Sequence, residues 1–463
     1  MGHSAKKLLW VIGAGGAPFE YVLPRLAERA DVYAFIATKV SAYQESLLQQ
    51  WCVDAVNVDP TDPSTDITDA LVRAARRFGA DGIVTFSELP VLAVAEACQT
   101  LGLPGPGPNA RLARDKWLMR KRWAEAGLPG PKFVRVENSQ DLEAATRALR
   151  MPFLLKPSGR GGGIGQQIID ASTSLERVLH DLDTELEQAT RRGIVEYSSA
   201  RLDFAHCVAE EIIESTTDSW YDDPRYGDYL SVEGIVANGV YHPICITGRL
   251  PTLPSFAETV ALSPCVLSEE LQRKVEKLAA AAVDALGLGT CATHTELKLM
   301  SGERMCLLET AARTAGSTAT AIAEAVFGID MIGLYTSEAL GVPQTYPERM
   351  LVEGKGAAAV VYLIGADSAG KPWASELPFT WRRLSWGELV SPASRVEIIP
   401  SQMAEDGAVV APYHPGGGAL NNFGSVVLHS PDPETLLADS YRLVDGLEAA
   451  LRACQSQPDG ATG

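Results

Sequence analysis

The sequence predicts a mixed fold, an α/β domain at the N-terminus followed by regions of α+β character. Three observations predict it. Residues 7–105 alternate short apolar runs with helical patterns, as a doubly wound parallel sheet requires. A proline- and glycine-rich stretch, Leu103 to Asn109, then interrupts the chain as a linker would. Beyond it, residues 132–330 are rich in strand patterns, and residues 331–463 mix helices with strands. A chain of 463 residues is too long for one compact core, so two or three subdomains are expected.

Lys7 to Ile12 is the first strand, and it runs into the turn Gly13–Gly16 with a helix starting near Pro18. Further strands are expected at Asp31–Ala37, Ala55–Val58 and Gly82–Phe86, and helices at Ser64–Phe78 and Leu89–Leu101. The turn lacks the third glycine of a dinucleotide fingerprint. Ala37-Thr38-Lys39 stands where an acidic residue would hold a ribose, so NAD or FAD is disfavoured. A tight strand-to-helix turn remains, with N–H groups that suit a substrate carboxylate. Asn109 to Leu128 reads as one helix, closed by Gly127–Pro131. After residue 330 a helix (about 330–340) precedes strands at 356–364, 394–399 and 424–429, a Gly-rich loop at 416–418 and a closing helix at 433–453.

Hydrophobic content of 46% and charged content of 21% fit a soluble globular protein. No apolar run is long enough to span a bilayer, and Leu8–Val11 lead into a glycine turn rather than a signal-peptide core. The net charge of −18 disfavours nucleic acid and anionic membranes as partners. Eight scattered cysteines form no CxxC pair and seven histidines show no zinc spacing, so a cytoplasmic protein with reduced thiols is expected.

Two segments carry chemistry. The first is a hairpin: His294–Met300, a turn at Ser301–Arg304, and Met305–Glu309. A two- or four-residue loop sets Glu296 directly opposite Glu309, with Leu297, Leu299, Cys306 and Leu308 on the other, buried face. Directly paired Cβ atoms lie roughly 5 Å apart, where like charges destabilise a sheet. A hard divalent cation, Mg²⁺ or Mn²⁺, would compensate them. The competing reading is a solvated acidic face neutralised by Lys298. The second segment runs from Pro152 to Ile169, an apolar strand ending in Lys156, then a loop containing Gly161, Gly162 and Gly163. It joins strand to strand and lacks a P-loop signature, yet its backbone and lysine suit a polyphosphate. The alternative is a flexible hairpin loop with an incidental lysine.

The order of these pieces resembles the ATP-grasp superfamily, and within it the carboxylate–amine ligases that include dipeptide-forming L-amino-acid ligases. The resemblance covers residues 1–345 well and the remainder loosely. It rests on Arg114-Asp115-Lys116, Ala124–Pro131, the lysine and glycines just described, the Ser231–Tyr241 hairpin, Ile246–Arg249 and Ala292–Glu296. It implies a Rossmann-like (pre-ATP-grasp) domain at 1–108 and an ATP-grasp domain at 109–345. The latter divides into a flap part at about 130–208 and a metal-site part at about 209–345, before an α+β subdomain at 346–463. It implies ATP contacts from Lys116, Lys156, Gly161, Gly162 and Gly163, and an adenine hinge at Glu210, Glu211, Ile212 and Ile213. Mg²⁺ or Mn²⁺ would be held by Glu296 and Glu309. Arg313 would be the catalytic residue, and Glu258, His294, Arg313, Gly316 and Ser317 would approach the substrates.

Two departures from the family pattern stand out. Ala311 replaces an asparagine that usually helps to hold the metal, and Ala261 stands where some relatives have a histidine. The activity implied is ATP-dependent amide formation between small amino acids through an acyl phosphate, with small carboxylates and amines as partners and a homodimer as the assembly common in this class. The alternatives are a purine-pathway or biotin-carboxylase-like ATP-grasp enzyme and a silent nucleotide-binding module. Trp220, Tyr221, Tyr226 and Tyr229 suit either a substrate wall or ordinary packing.

Overall fold

The computed structural model describes residues 5–62, 64–159, 161–163, 165–191 and 206–455. The chain begins with β1 (Lys7–Ile12), α1 (Phe19–Ala27), β2 (Asp31–Ile36), α2 (Ala42–Trp51), β3 (Asp54–Asn57), α3 (Ile67–Phe78), β4 (Gly82–Thr85) and α4 (Val91–Leu101). The four strands pair in parallel in the order β3-β2-β1-β4. Central β1 is buried on both faces. Leu8, Trp10 and Ile12 pack toward α1, and Leu9 and Val11 pack toward α3 and α4. That two-sided burial explains its unbroken apolar run. Helix α3 starts at Ile67 rather than Ser64, because Asp66 caps it through the Asp69 N–H.

Strand order reverses between β1 and β4, so their carboxyl ends frame a crevice of the kind that binds ligands in open α/β sheets. Ser87 closes it: its hydroxyl donates to the Gly13 and Gly15 carbonyls at 3.2 and 2.9 Å and accepts from the Gly13 N–H at 3.3 Å. Gly16 (φ 102°) is required here, since a Cβ would lie 2.7 Å from the Phe86 carbonyl oxygen.

The expected helix Asn109–Leu128 is two elements. A 3₁₀ turn covers Pro108–Ala113, and α5 (Lys116–Glu125) starts afresh. Asp115 makes the break: its backbone is extended and its carboxylate accepts the Trp117 and Leu118 N–H groups. There follow β5 (Phe133–Val136), α6 (Ser139–Ala148), β6 (Phe153–Pro157), β7 (Gln167–Ile169), α7 (Leu175–Arg191) and β8 (Cys207–Glu211). The sequence suggests a strand-like run from Phe204 to Ala209, whose first two residues lie outside the described residues. These strands form an antiparallel sheet ordered β5-β8-β6-β7, with Leu142, Val178 and Leu182 of the two helices packed on it.

The third region contains β9 (Tyr229–Ala237), β10 (Val240–Arg249), β11 (Val260–Ser263), α8 (Glu269–Leu286), β12 (Cys291–Met300), β13 (Arg304–Ala311), α9 (Ala319–Phe327) and α10 (Met331–Ala339). The chain ends with β14 (Ala357–Ile364), β15 (Leu377–Pro378), β16 (Arg395–Ile398), β17 (Val409–Val410), β18 (Asn422–Ser430) and α11 (Pro433–Gln455). One antiparallel sheet of eight strands, β13-β12-β9-β10-β11-β14-β18-β16, runs through both stretches. The position 345/346 therefore falls in a connection between two strands of one sheet. All eight cysteines are free thiols. Among the described residues no single helix is long and apolar enough to cross a membrane, and the apolar pair α9 and α10 is bent by 108°.

Candidate active site

The β12–β13 hairpin places Glu296 directly opposite Glu309. Its loop is neither of the lengths expected. Met300 pairs with Arg304 across three residues, and Gly302 and Glu303 adopt positive φ of 65° and 55°. That register alone would offset the carboxylates by one residue. A β-bulge at Leu308 restores the pairing, so Leu307 rather than Leu308 fills the buried face, with no exposed surface.

Cations surround the pair. Lys116, the first residue of α5, places Nζ 2.9 Å from Glu309 Oε2. Burial would raise the Glu309 carboxyl, but Lys116, Lys156 and Arg313 outweigh it and hold the group well below the usual range. Glu309 is thereby available as an anionic oxygen ligand. Among the described residues no group of three or more histidines, cysteines or carboxylates is arranged to hold a metal. Two facing carboxylates without a third ligand fit Mg²⁺ that keeps water and phosphate oxygens, not a resident metal cage. Ala311, fully buried beside His294, supplies no ligand.

Lys156 leaves the end of β6 and pairs with Glu210 on β8. Arg120 of α5 binds the same carboxylate from Nε at 3.1 Å. Glu210 is thus a buried anchor for two cations. Glu211 turns away, accepting the Arg150 N–H at 3.1 Å, and Ile212 and Ile213 continue the connection half-buried. Asp115 ties the lysine-bearing segments together, accepting from the Ser158 hydroxyl at 2.5 Å. The glycine loop after β6 lies against Glu88 and the Gly418–Ala419 segment. The Gly162 carbonyl accepts the Ala419 N–H at 2.8 Å, and a Cβ at Gly161 would meet the Glu88 side chain.

Glu88, three residues beyond the carboxyl end of β4, joins the candidate site without having been singled out in the sequence. It bridges Arg313 Nε and Arg114 Nη1, each at 2.5 Å. Its position at the strand-order reversal was the available signal. Burial would raise its pKa, but Arg313 and Arg114 hold it below the usual range. A salt bridge to Glu309 would be the purely structural role for an arginine four residues beyond it; Arg313 pairs with Glu88 instead.

His294 lies on the Glu296 face with both nitrogens engaged. Nδ1 is 2.9 and 3.0 Å from the Glu233 oxygens and Nε2 is 3.1 Å from Glu296 Oε1. Burial alone would lower its pKa, but the two carboxylates raise it to about 9. It is a charged bridge and not a free base. Glu258 faces buried Arg249 at 3.0 Å. The Ser317 N–H donates to the Gly16 carbonyl at 3.1 Å and its hydroxyl meets Ser425 at 2.7 Å, while a side chain at Gly316 would meet open space. Of the aromatic group, Trp220, Tyr226 and Tyr229 are buried, and Tyr221 stacks on Tyr226 at 5.1 Å. Packing accounts for them.

A family profile described as the ATP-grasp N-terminal domain matches residues 33–105. The chain is 32% identical over 353 residues to the alanine–anticapsin ligase of Bacillus subtilis (strain 168), covering 71% of this chain and 73% of that one. The chain belongs to the ATP-grasp carboxylate–amine ligases. These are ATP-dependent enzymes that form amide or peptide bonds. The ligase also superposes on the L-amino acid ligase of Bacillus licheniformis with a TM-score of 0.73 at 20% identity, over 96% of this chain and 98% of the other. A biotin carboxylase of Campylobacter jejuni aligns with a TM-score of 0.66 at 16% identity, over 95% and 94%. That likeness is one of fold alone, so the carboxylase and purine-pathway readings are not favoured.

Proposed function

We propose that this ligase joins the carboxyl group of one small amino acid to the amine of another, using ATP and releasing ADP and phosphate. The observation that carries the reading is the facing pair Glu296 and Glu309, with Lys116 beside it and Arg313 four residues beyond. Lys116, Lys156 and the flap glycines Gly161–Gly163 align the triphosphate of ATP, and the segment Glu210–Ile213 borders its base. Glu296 and Glu309 are the residues that would hold Mg²⁺, which when bound neutralises phosphate charge. The substrate carboxylate attacks the γ-phosphorus, the bond to the β,γ-bridging oxygen breaks, and ADP leaves. The amine then attacks the acyl carbon, phosphate departs and the amine proton is lost. Arg313 holds the carboxylate and stabilises the oxyanion formed in this second step. Arg313, held by Glu88 before substrate arrives, exchanges that partner for the incoming acid.

The relative named for alanine supports a small amino acid as one substrate. The division at 108 and 345 and a cytoplasmic location belong to the same reading. The test is to incubate the protein with ATP, Mg²⁺ and amino-acid pairs, and to follow nucleotide and product masses. ADP, phosphate and a new amide are expected. AMP and pyrophosphate would refute the acyl-phosphate route. Glu309→Ala is expected to abolish turnover with an unchanged circular dichroism spectrum, and normal activity in that variant would remove the metal role.

A further inference from the structure

Arg249 ends β10 with only 3% of its surface exposed. Its Nε donates to Glu258 Oε2 at 3.0 Å, and Nη1 donates to the carbonyls of Thr247 and Gly248 at 3.1 and 3.0 Å. Nη2 donates to Ser231 Oγ at 3.1 Å. Ser231 Oγ donates to Glu233 Oε1 at 2.7 Å, and Glu233 holds His294, which in turn meets Glu296. An unbroken polar chain therefore runs from Glu258, on the loop before β11, to Glu296. The Arg249 guanidinium also packs 5.2 Å over the Tyr229 ring.

Every interior member is buried, whereas the Glu258 and Glu296 side chains keep 27% and 17% of their surface exposed. Burying two cations and a carboxylate costs several kcal/mol per ion in desolvation, and apolar residues of equal size often serve stability better. A fully satisfied buried network does hold its members rigidly in one arrangement. The two exposed ends are then fixed relative to one another.

We propose that Arg249 is a positioning residue that, through Ser231, Glu233 and His294, holds the Glu258 loop and Glu296 on one frame, so that acid substrate and metal–nucleotide bind cooperatively. This rests on the ligase reading above, with the acid placed at the Glu258 loop. Ser231→Ala cuts the chain at its centre, removes one oxygen and keeps every charge. Arg249→Lys keeps the cation but not the fork.

The experiment is calorimetric titration of Mn²⁺ into protein with saturating ADP, with and without the amino acid that the product screen identifies as the acid substrate. In the unaltered protein the acid is expected to tighten Mn²⁺ binding about fivefold or more. In Ser231→Ala the factor is expected to fall below about twofold, with the KM for the acid and that for Mg²⁺–ATP both raised and that for the amine unchanged. Arg249→Lys is expected between the two. A merely structural role would lower the melting temperature and leave the coupling factor intact, and that result overturns the proposal. So does turnover in the unaltered protein with no coupling. If the unaltered protein neither binds Mn²⁺ with ADP nor forms an amide from any pair, the ligase reading itself fails.

Discussion

Glu210→Gln tests how the proposed nucleotide side of the candidate site is held. The carboxylate is 2% exposed and pairs with Arg120 and Lys156. Arg120 is equally buried, and neither of its Nη atoms has another partner among the described residues. Substituting glutamine keeps the shape and leaves Arg120 as an uncompensated buried charge, a change that costs about 3–5 kcal/mol. Lys156 retains some solvent contact, so its own penalty is smaller. The assay is urea unfolding followed by tryptophan fluorescence, because Trp123 lies 5.6 Å from the Arg120 guanidinium. Adding Arg120→Met to the variant removes the orphan charge and is expected to recover most of the loss. Burial would raise the Glu210 carboxyl, but Arg120 and Lys156 hold it below the usual range. A depressed folded pKa stabilises above the unfolded value of about 4.3, and the contribution disappears as pH falls through the folded value. The difference between variant and parent should therefore be full at pH 7 and shrink in acid. A cost below about 1 kcal/mol, or a double variant no better than the single one, would refute the reasoning.

Further outcomes follow from other contacts. Gly418 has φ 50° and ψ −138°, and a Cβ there would lie 2.7 Å from the Gly162 carbonyl oxygen. Gly418→Ala should add about 1–3 kcal/mol of strain to flap seating and raise the KM for ATP roughly tenfold; an unchanged KM would show that the contact is dispensable. In the metal-free protein the raised pKa of His294 stabilises fully below about 6.5, and that contribution is lost as pH rises through about 9. His294→Gln should therefore cost up to about 3 kcal/mol at pH 6 and little at pH 10, as read from urea midpoints. Chelation of Mg²⁺ should abolish turnover without unfolding the protein, and Mn²⁺ should restore it. Without nucleotide, calorimetry should find Mg²⁺ binding weak, because two carboxylates alone are offered.

Much of the geometry of the candidate site could be read from spacing. Strand alternation put Glu296 and Glu309 face to face, and the lysine at a strand end followed by glycines marked Lys156 and its loop. The correct pairing was reached through a wrong loop length, because a bulge at Leu308 leaves no mark in a period-two pattern. The helix boundary at Asp115 was hidden because an N-cap aspartate and an aspartate within a charged helix look alike in sequence. Glu88 and Arg249 were invisible as partners. Their contacts span 225 residues for Glu88–Arg313 and 18 for Arg249–Ser231, and only the folded sheets bring them together. His294 was noticed for its place beside Glu296, but its second carboxylate, Glu233, comes from the neighbouring strand β9.

The eight-stranded sheet has a practical corollary for anyone wishing to shorten or recombine this protein. Strand β14 covers the flank of β11 over four residue pairs, Val260–Ser263 against Ala358–Val361. A chain cut after residue 345 would expose that row of backbone donors and acceptors, bordered by the apolar side chains of Val260 and Leu262. Open edges of that kind recruit other chains. Expressed alone, such a fragment should form aggregates rather than a smaller ligase, and exchanging the last 118 residues between relatives should succeed only where the β11–β14 seam is carried along intact.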